Sequence, residues 1–263
     1  MSGGDKPPTD VGAVWGLWFT TSAFHVDKQL RGINRLLPSE PRCKFCAAPF
    51  RGPGALLERL VFRKQQSSMN PRFCNMCDEA MRRFPGGAEV PMSMLFADIR
   101  GSTEQSGRMS PAEFGKLINR FYSTASRLIS EADGLLEKLA GDSVAAFWGA
   151  GFAGPDYVAR TLRVAQVISS RLREQGIPVG IGVHSGVAFF GAVGTPDGLT
   201  NMTAAGEEVN LAARLAAQAA AGEIIVSENA LKDAGVDGAE LESRHLSLKG
   251  IDRSVPVRVM HGT

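Results

Sequence analysis

The ten residues Met94-Leu95-Phe96-Ala97-Asp98-Ile99-Arg100-Gly101-Ser102-Thr103 constrain this chain more than any other stretch. An apolar run of this length, bounded by turn signals, reads as a buried strand. It ends in a carboxylate, Asp98, at the C-terminal edge where side chains leave a sheet. Gly101 then turns the backbone, and Ser102 and Thr103 stand where hydroxyl groups cap a following helix. A helix N-terminus at that place offers its N–H groups to a polyphosphate. The stretch predicts a metal-binding carboxylate beside a phosphate cradle formed by Gly101, Ser102 and Thr103. A strand ending in Asp before a glycine turn is common in α/β and α+β folds, so the downstream elements decide what it serves.

Those elements follow in a definite order. Pro85-Gly86-Gly87 breaks the chain, and the opening strand occupies roughly residues 90–98. Ser110-Pro111-Ala112-Glu113 is a capping box with proline at the first helical position. Phe114, Leu117, Ile118, Phe121, Ala125, Leu128 and Ile129 then mark one helix face, which Gly134 terminates. Leu135 to Trp148 reads as a hairpin with Ala140-Gly141-Asp142 at its turn. Pro155 opens a second helix. Val179 to Phe190 reads as a second β pair turning near Ser185-Gly186, and Glu207 to Ala219 as a third helix. Further strands are expected at Glu223 to Val226, Leu241 to Leu248 and Val255 to Met260. Strand, helix, hairpin, helix, strand is the ferredoxin-like βαββαβ order, so the expected class is α+β with C-terminal additions.

The first third of the chain differs in character. Residues 1–90 hold 13 Lys and Arg against 8 Asp and Glu, whereas residues 91–263 hold 16 against 19. The split supports a boundary near residue 90, and the excess is too modest to argue for nucleic acid. Residues 1–10 read as a disordered tail and 11–40 as a helical segment carrying Trp15, Trp18, Phe19 and Phe24. Residues 41–88 form a metal module, and 89–263 the main domain. The module rests on Cys43-Lys44-Phe45-Cys46 and Cys74-Asn75-Met76-Cys77, the only four cysteines in the chain. Two CxxC pairs can wrap four thiolates around one ion, which favours a structural zinc, with an iron–sulfur cluster as the alternative. A segment this small lacks the means to build a core alone. Arg59, Arg63 and Lys64 between the pairs read as a solvated basic face, since no aromatics interleave them for base stacking. No secretory signal and no stretch long enough to span a bilayer is visible, so a reducing, cytoplasmic setting is expected.

Two carboxylates now stand out, because Asp142 tops the hairpin that would lie beside Asp98. Convergent carboxylates on rigid elements suit hard divalent ions. On the third helix, Asn210 and Arg214 share a face at i and i+4, amid apolar Leu211, Ala212, Ala213 and Leu215. An amide and a guanidinium suit ribose and phosphoryl oxygens. His184, in the second β pair, reads as a packed strand histidine.

With these residues in place, the sequence from about residue 91 to the C-terminus resembles the class III nucleotidyl cyclases. LFADIRGST, EKLAGDSVAAF and TAAGEEVNLAARL carry the resemblance, in the family's order and at fitting intervals. It implies that Asp98 and Asp142, helped by the Ile99 carbonyl, bind two Mg2+ or Mn2+ ions. It implies that Lys138 and Thr203 read the purine in the adenine-type combination, where guanylate cyclases carry glutamate and cysteine. Asn210 would orient the ribose, Arg214 would stabilise charge on the α-phosphate, and Lys249 would grip the terminal phosphates. The activity implied is ATP to 3′,5′-cyclic AMP and pyrophosphate, in a homodimer whose sites are shared between subunits. Ser102, Met202 and Glu207 depart from the family's usual phenylalanine, tyrosine and aspartate, at positions that touch packing and loop shape more than chemistry. Two rival functions stand beside this one: a nucleotide-sensing module without turnover, and a zinc-dependent nucleic-acid or partner binder.

Overall fold

A computed structural model describes residues 10–21, 25–37, 41–43, 46–68, 73–83, 85–194, 200–248, 250–251 and 254–262. In chain order the elements are α1 (Val11–Thr20), α2 (His25–Leu36), α3 (Gly52–Phe62), α4 (Asn75–Arg83), β1 (Gly86–Ile99), α5 (Ser102–Arg108) and α6 (Pro111–Glu131). Then come β2 (Leu135–Ala140), β3 (Ser143–Trp148), α7 (Ala150–Ala153), α8 (Tyr157–Glu174), β4 (Val179–Gly194) and β5 (Thr200–Ala205). The chain closes with α9 (Glu207–Gln218), β6 (Glu223–Ser227), α10 (Glu228–Ala234), β7 (Glu242–Ser247) and β8 (Ser254–His261). Two compact units emerge, one of residues 1–90 with 189–204, the other of 91–188 with 205–263.

The strands run in the order β2-β3-β1-β4-β6-β8-β7, with β5 pairing β4 off that path. The first four, β2-β3-β1-β4, are the ferredoxin-like arrangement, and β6, β8 and β7 are the C-terminal additions. β1 and β3 are antiparallel, with Asp98 opposite Ser143. β4 and β6 are parallel, and β8 pairs antiparallel with both β6 and β7.

Within the second unit the sheet is covered on both faces, and strand alternation decides which residue serves which face. Helix α6 begins at the expected capping box, in which Glu113 N–H donates to Ser110 Oγ at 3.3 Å and Ser110 N–H to Glu113 Oε2 at 2.9 Å. Its buried Leu117, Phe121, Ala125 and Leu128 recur at helical spacing and meet Leu162, Ala165 and Ile168 of α8 over Leu95, Ala97, Val144, Ile181, Ile224 and Val226. On the opposite face Leu211, Leu215 and Ala219 pack against Ile225, Val255 and Val257. Trp148 is fully buried, its indole N–H donating to the Ala132 carbonyl at 2.9 Å. Truncating it to alanine would cost about 3–5 kcal/mol. The turn beneath it inverts expectation. The left-handed residue there is Asp133, at φ 62°, held by an Arg160 ion pair at 2.9 Å. Gly134 is needed because a Cβ would stand 2.5 Å from the Trp148 ring.

Two sequence expectations fail in this unit. The β pair predicted over 179–190 is one continuous strand, β4, which runs through Ser185 and Gly186 without turning. Helix α10, capped by Ser227 Oγ accepting from Ala230 N–H at 3.2 Å, was not foreseen.

In the first unit, α1 buries Val14, Trp15 and Phe19. Trp15 meets Trp18 edge-on at 5.2 Å, and Phe190 lies 4.4 Å from Phe19. Helix α3 leaves Leu56, Leu57, Leu60 and Val61 exposed.

Candidate active site

The sheet brings Asp98 and Asp142 together. Hairpin β2–β3 turns through Gly141, whose φ of +60° suits the first central residue of a tight turn. Ile99 N–H then donates to the Asp142 carbonyl at 3.0 Å, locking the end of β1 to the turn. Burial pushes the Asp98 carboxyl up; the Arg100 guanidinium pulls it down, but the like charge of Asp142 adds to the rise, and the net shift is upward. Arg100 Nη2 lies 2.6 Å from Asp98 Oδ2, while its Nη1 donates to the Ala217 carbonyl at 3.2 Å. Asp98 Oδ1 is buried with no hydrogen-bond partner among the described residues. An orphaned carboxylate oxygen beside a second carboxylate fits a divalent cation with oxygen ligands.

The neighbouring turn departs from expectation in one respect. Gly101, at φ 67°, occupies the cap position of α5 without a side-chain bond, and Ser102 and Thr103 are its first helical residues. Neither hydroxyl caps the helix, because Ser102 Oγ donates instead to Asp142 Oδ2. Arg100 and Ser102 are thus polar partners of the two carboxylates, Arg100 without a place in the sequence reading and Ser102 in another role than the cap expected of it. Arg100 had a signal: a cation two residues beyond a strand-end carboxylate tends to share its face.

On α9, Asn210 is exposed and Arg214 half-buried, and no hydrogen bond or ion pair engages either side chain among the described residues. A Cβ at Gly250 would stand 3.3 Å from Arg214 Nη2, so the Arg214 guanidinium lies against the turn that follows Lys249. Lys249 itself lies outside the described residues. Lys138 pairs with Ala145 across the hairpin, just after a register shift between Leu136 and Lys138; its side chain is not described. Thr203 lies on β5, in the first unit.

The four cysteines converge as their spacing predicts. Their sulfurs all lie within 4.8 Å of one another, and Cys46 Sγ stands 3.7 Å from Cys74 Sγ. That separation is far beyond a disulfide bond of about 2.05 Å. It matches the edge of a tetrahedron with metal–sulfur bonds of about 2.3 Å. Cys74 N–H points to Cys43 Sγ at 3.3 Å and Cys77 N–H to Cys74 Sγ at 3.4 Å, arrangements that favour thiolates. Hydrogen bonding from Cys43 lowers the Cys46 and Cys74 thiols, whereas burial raises Cys43. Lys64 is not on a solvated face as expected. It is buried, 3.8 Å from the equally buried Glu58. Burial alone would lower its ammonium, but the Cys46 thiolate and Glu58 outweigh that and raise it. Four thiolates around a divalent ion leave a net negative charge, and Lys64 is placed to offset it.

Comparison with known proteins agrees with this geometry. The chain is 33% identical over 180 residues to an uncharacterised protein of Mycobacterium tuberculosis, the match covering 66% of this chain and 33% of that one. It is 28% identical over 180 residues to the adenylate cyclase of Anabaena cylindrica, covering 64% and 34%. The chain thus spans about a third of the length of these curated relatives. Among solved structures it resembles the guanylyl cyclase Cya2, with a TM-score of 0.63 and 26% identity over 67% of this chain and 94% of that one. It also resembles the adenylyl cyclase CyaB from P. aeruginosa, with a TM-score of 0.55 and 25% identity over 66% and 95%. The family described as the adenylate and guanylate cyclase catalytic domain matches residues 88–254, and to that class III cyclase family the chain belongs.

Proposed function

We propose that this chain is an adenylate cyclase, converting ATP to 3′,5′-cyclic AMP and pyrophosphate. The observation that carries the reading is the paired carboxylates of Asp98 and Asp142, with Asp98 Oδ1 buried and unsatisfied. Divalent cations, Mg2+ or Mn2+, would supply charge neutralisation of the triphosphate and a more acidic ribose 3′-hydroxyl. Asp98, Asp142 and the Ile99 carbonyl would hold two of them. Arg214 would stabilise negative charge on the α-phosphate as the 3′-oxygen attacks in line, and Asn210 would fix the ribose. Gly101, Ser102 and Thr103 would line the phosphate side, and Lys249 the terminal phosphates. Lys138 donates to a ring nitrogen acceptor and Thr203 accepts from an amino group, a pairing that suits adenine rather than guanine. No protein nucleophile is involved, so no covalent intermediate forms.

The family resemblance also supports a homodimer in which Asp98 and Asp142 of one subunit meet Asn210 and Arg214 of the other. Residues 89–263 would form this catalytic part. Residues 41–88 would hold one structural zinc on Cys43, Cys46, Cys74 and Cys77, with the iron–sulfur alternative decided by sulfide analysis. No described helix is long and apolar enough to cross a membrane, and we place the protein in the cytoplasm.

The test is turnover. The purified chain is incubated with ATP or GTP and Mn2+, with Asp98→Ala alongside, and the products are separated. Cyclic AMP from the parent alone is the expected result. Cyclic GMP would keep the mechanism and overturn the reading of Lys138 and Thr203. Absence of both products would overturn the reading in favour of nucleotide binding without turnover.

A further inference from the structure

Helix α9, which carries Asn210 and Arg214, does not sit on β4 in the usual way. Gly180, Gly182, His184 and Gly186 alternate along β4 and so share one face. A Cβ at Gly182 would stand 2.3 Å from Ala216 N and 2.6 Å from the Ala212 carbonyl oxygen. One at Gly180 would stand 2.5 Å from the Ala219 carbonyl oxygen. The backbone of the helix therefore rests directly on the backbone of the strand. Side chains normally interlock to fix a helix against sliding and rotation. Along this track the strand offers a single side chain, His184.

His184 is buried, with a relative exposure of 1%. Its Nδ1 lies 2.7 Å from Ser227 Oγ, and its Nε2 is bonded to Glu208 Oε2. Ser227 Oγ already accepts from Ala230 N–H as the cap of α10, so its hydroxyl hydrogen is available to Nδ1. The hydrogen-bond network then places the ring hydrogen on Nε2, aimed at Glu208. Glu208 stands in the first turn of α9, two residues before Asn210 and six before Arg214. Its side chain passes over Gly186, where a Cβ would come within 3.0 Å of Glu208 Cγ and Oε2. The Glu208 side chain is 28% exposed, so water could satisfy the carboxylate without the histidine. The bond's consequence is positional: it ties the start of α9 to a fixed point on the sheet.

We propose that His184 and Glu208 are a positioning pair, setting where α9 presents Asn210 and Arg214 along the glycine track of β4. The proposal rests on the cyclase reading of α9, in which neither residue is given a contact with the nucleotide. Gly186 then serves to admit the Glu208 side chain rather than to turn the strand.

The test compares Glu208→Ala, Glu208→Gln, His184→Ala, the double alanine variant and Gly186→Ala with the parent. Each is measured for kcat and KM with ATP and Mn2+, and for hydrogen exchange along α9. Glu208→Ala should lower kcat by about 10- to 100-fold, the scale of a small misplacement remote from the chemistry, with KM nearly unchanged. Glu208→Gln keeps an acceptor oxygen for Nε2–H and should restore most of kcat. Gly186→Ala, which crowds Glu208 while leaving both partners in place, should fall between them. The double variant should be no slower than the slower single, since the two residues act as one unit. Parental kcat in Glu208→Ala, no rescue by glutamine, or additive losses would each overturn the proposal. If the parent turns over neither nucleotide, the cyclase reading fails by itself. Hydrogen exchange then judges the pair: faster exchange over 207–211 in Glu208→Ala supports it, and unchanged exchange removes it.

Discussion

The four-cysteine cluster and the carboxylate pair are both sets of side chains with metal-ligating chemistry, and they are built in opposite ways. Cys43, Cys46 and Cys74 are buried, the sulfurs of Cys43 and Cys74 accept bonds from neighbouring N–H groups, and four thiolates would leave a tetrahedral ion no open position. Asp98 and Asp142 are half-buried, and each is engaged by a side chain that can let go, Arg100 or Ser102. One arrangement would enclose an ion. The other leaves room for a ligand that arrives and departs. The surroundings follow suit: the first unit exposes Leu56, Leu57, Leu60 and Val61 on α3, whereas the sheet of the second unit has apolar residues packed on both faces. The unit that exposes these apolar side chains is the one that carries the four-cysteine cluster.

The largest expected effect tests the enclosed half of that contrast. Cys74→Ser should remove one zinc equivalent and open residues 41–83 to protease, because structural zinc contributes about 10–16 kcal/mol in small zinc peptides. Metal analysis with limited proteolysis reads both, and a variant that keeps its zinc and its resistance would break the contrast.

Asp98→Asn tests the open half. Turnover should fall by roughly 10³-fold, while the metal-free protein should gain thermal stability. The sign follows from the upward shift of Asp98 by burial and by Asp142. Folding disfavours its charged form, so the penalty is absent in acid and grows as pH rises through the raised value. The stability gap between variant and metal-free parent should therefore widen with pH. Saturating Mn2+ should reverse it, since a ligand at 100 times its Kd adds about 2.7 kcal/mol to the parent alone. A gap that is flat with pH, read from melting curves, would count against the upward shift of Asp98.

The smallest effect concerns what surrounds the enclosed site. Lys64→Met removes the cation beside the thiolates, and a competing chelator should then extract zinc with about tenfold greater ease. Unchanged retention would mean that Lys64 serves only Glu58.

Much of this was legible in the sequence, and the parts that were not share a physical cause. The capping box at Ser110, the convergence of the CxxC pairs and the hairpin that sets Asp142 beside Asp98 rest on contacts between near neighbours or on a strand order with few alternatives. Ser102 was read as a cap because that role is local, yet its hydroxyl is taken by Asp142, 40 residues on. Gly134 and Gly186 were read as a helix stop and a turn, the local uses of glycine. Their reasons are distant in sequence: the ring of Trp148 and the side chain of Glu208. The burial of Lys64 was hidden likewise, since its anionic partners come together only on folding.

The contact at Gly182 also shapes how this chain can change. Every substitution there adds atoms, and the atoms they would strike belong to the backbone of Ala212 and Ala216. No exchange of the side chains at 212 or 216 can move a backbone oxygen or nitrogen aside, so a compensating second change has nowhere to occur. A saturation scan of position 182 should thus rank variants by volume, alanine least damaged, without regard to polarity or charge. The same scan at an ordinary core position such as Ile225 would show tolerance for several residues of similar size. Lineages descended from this sequence should therefore drift at 225 and keep glycine at 182.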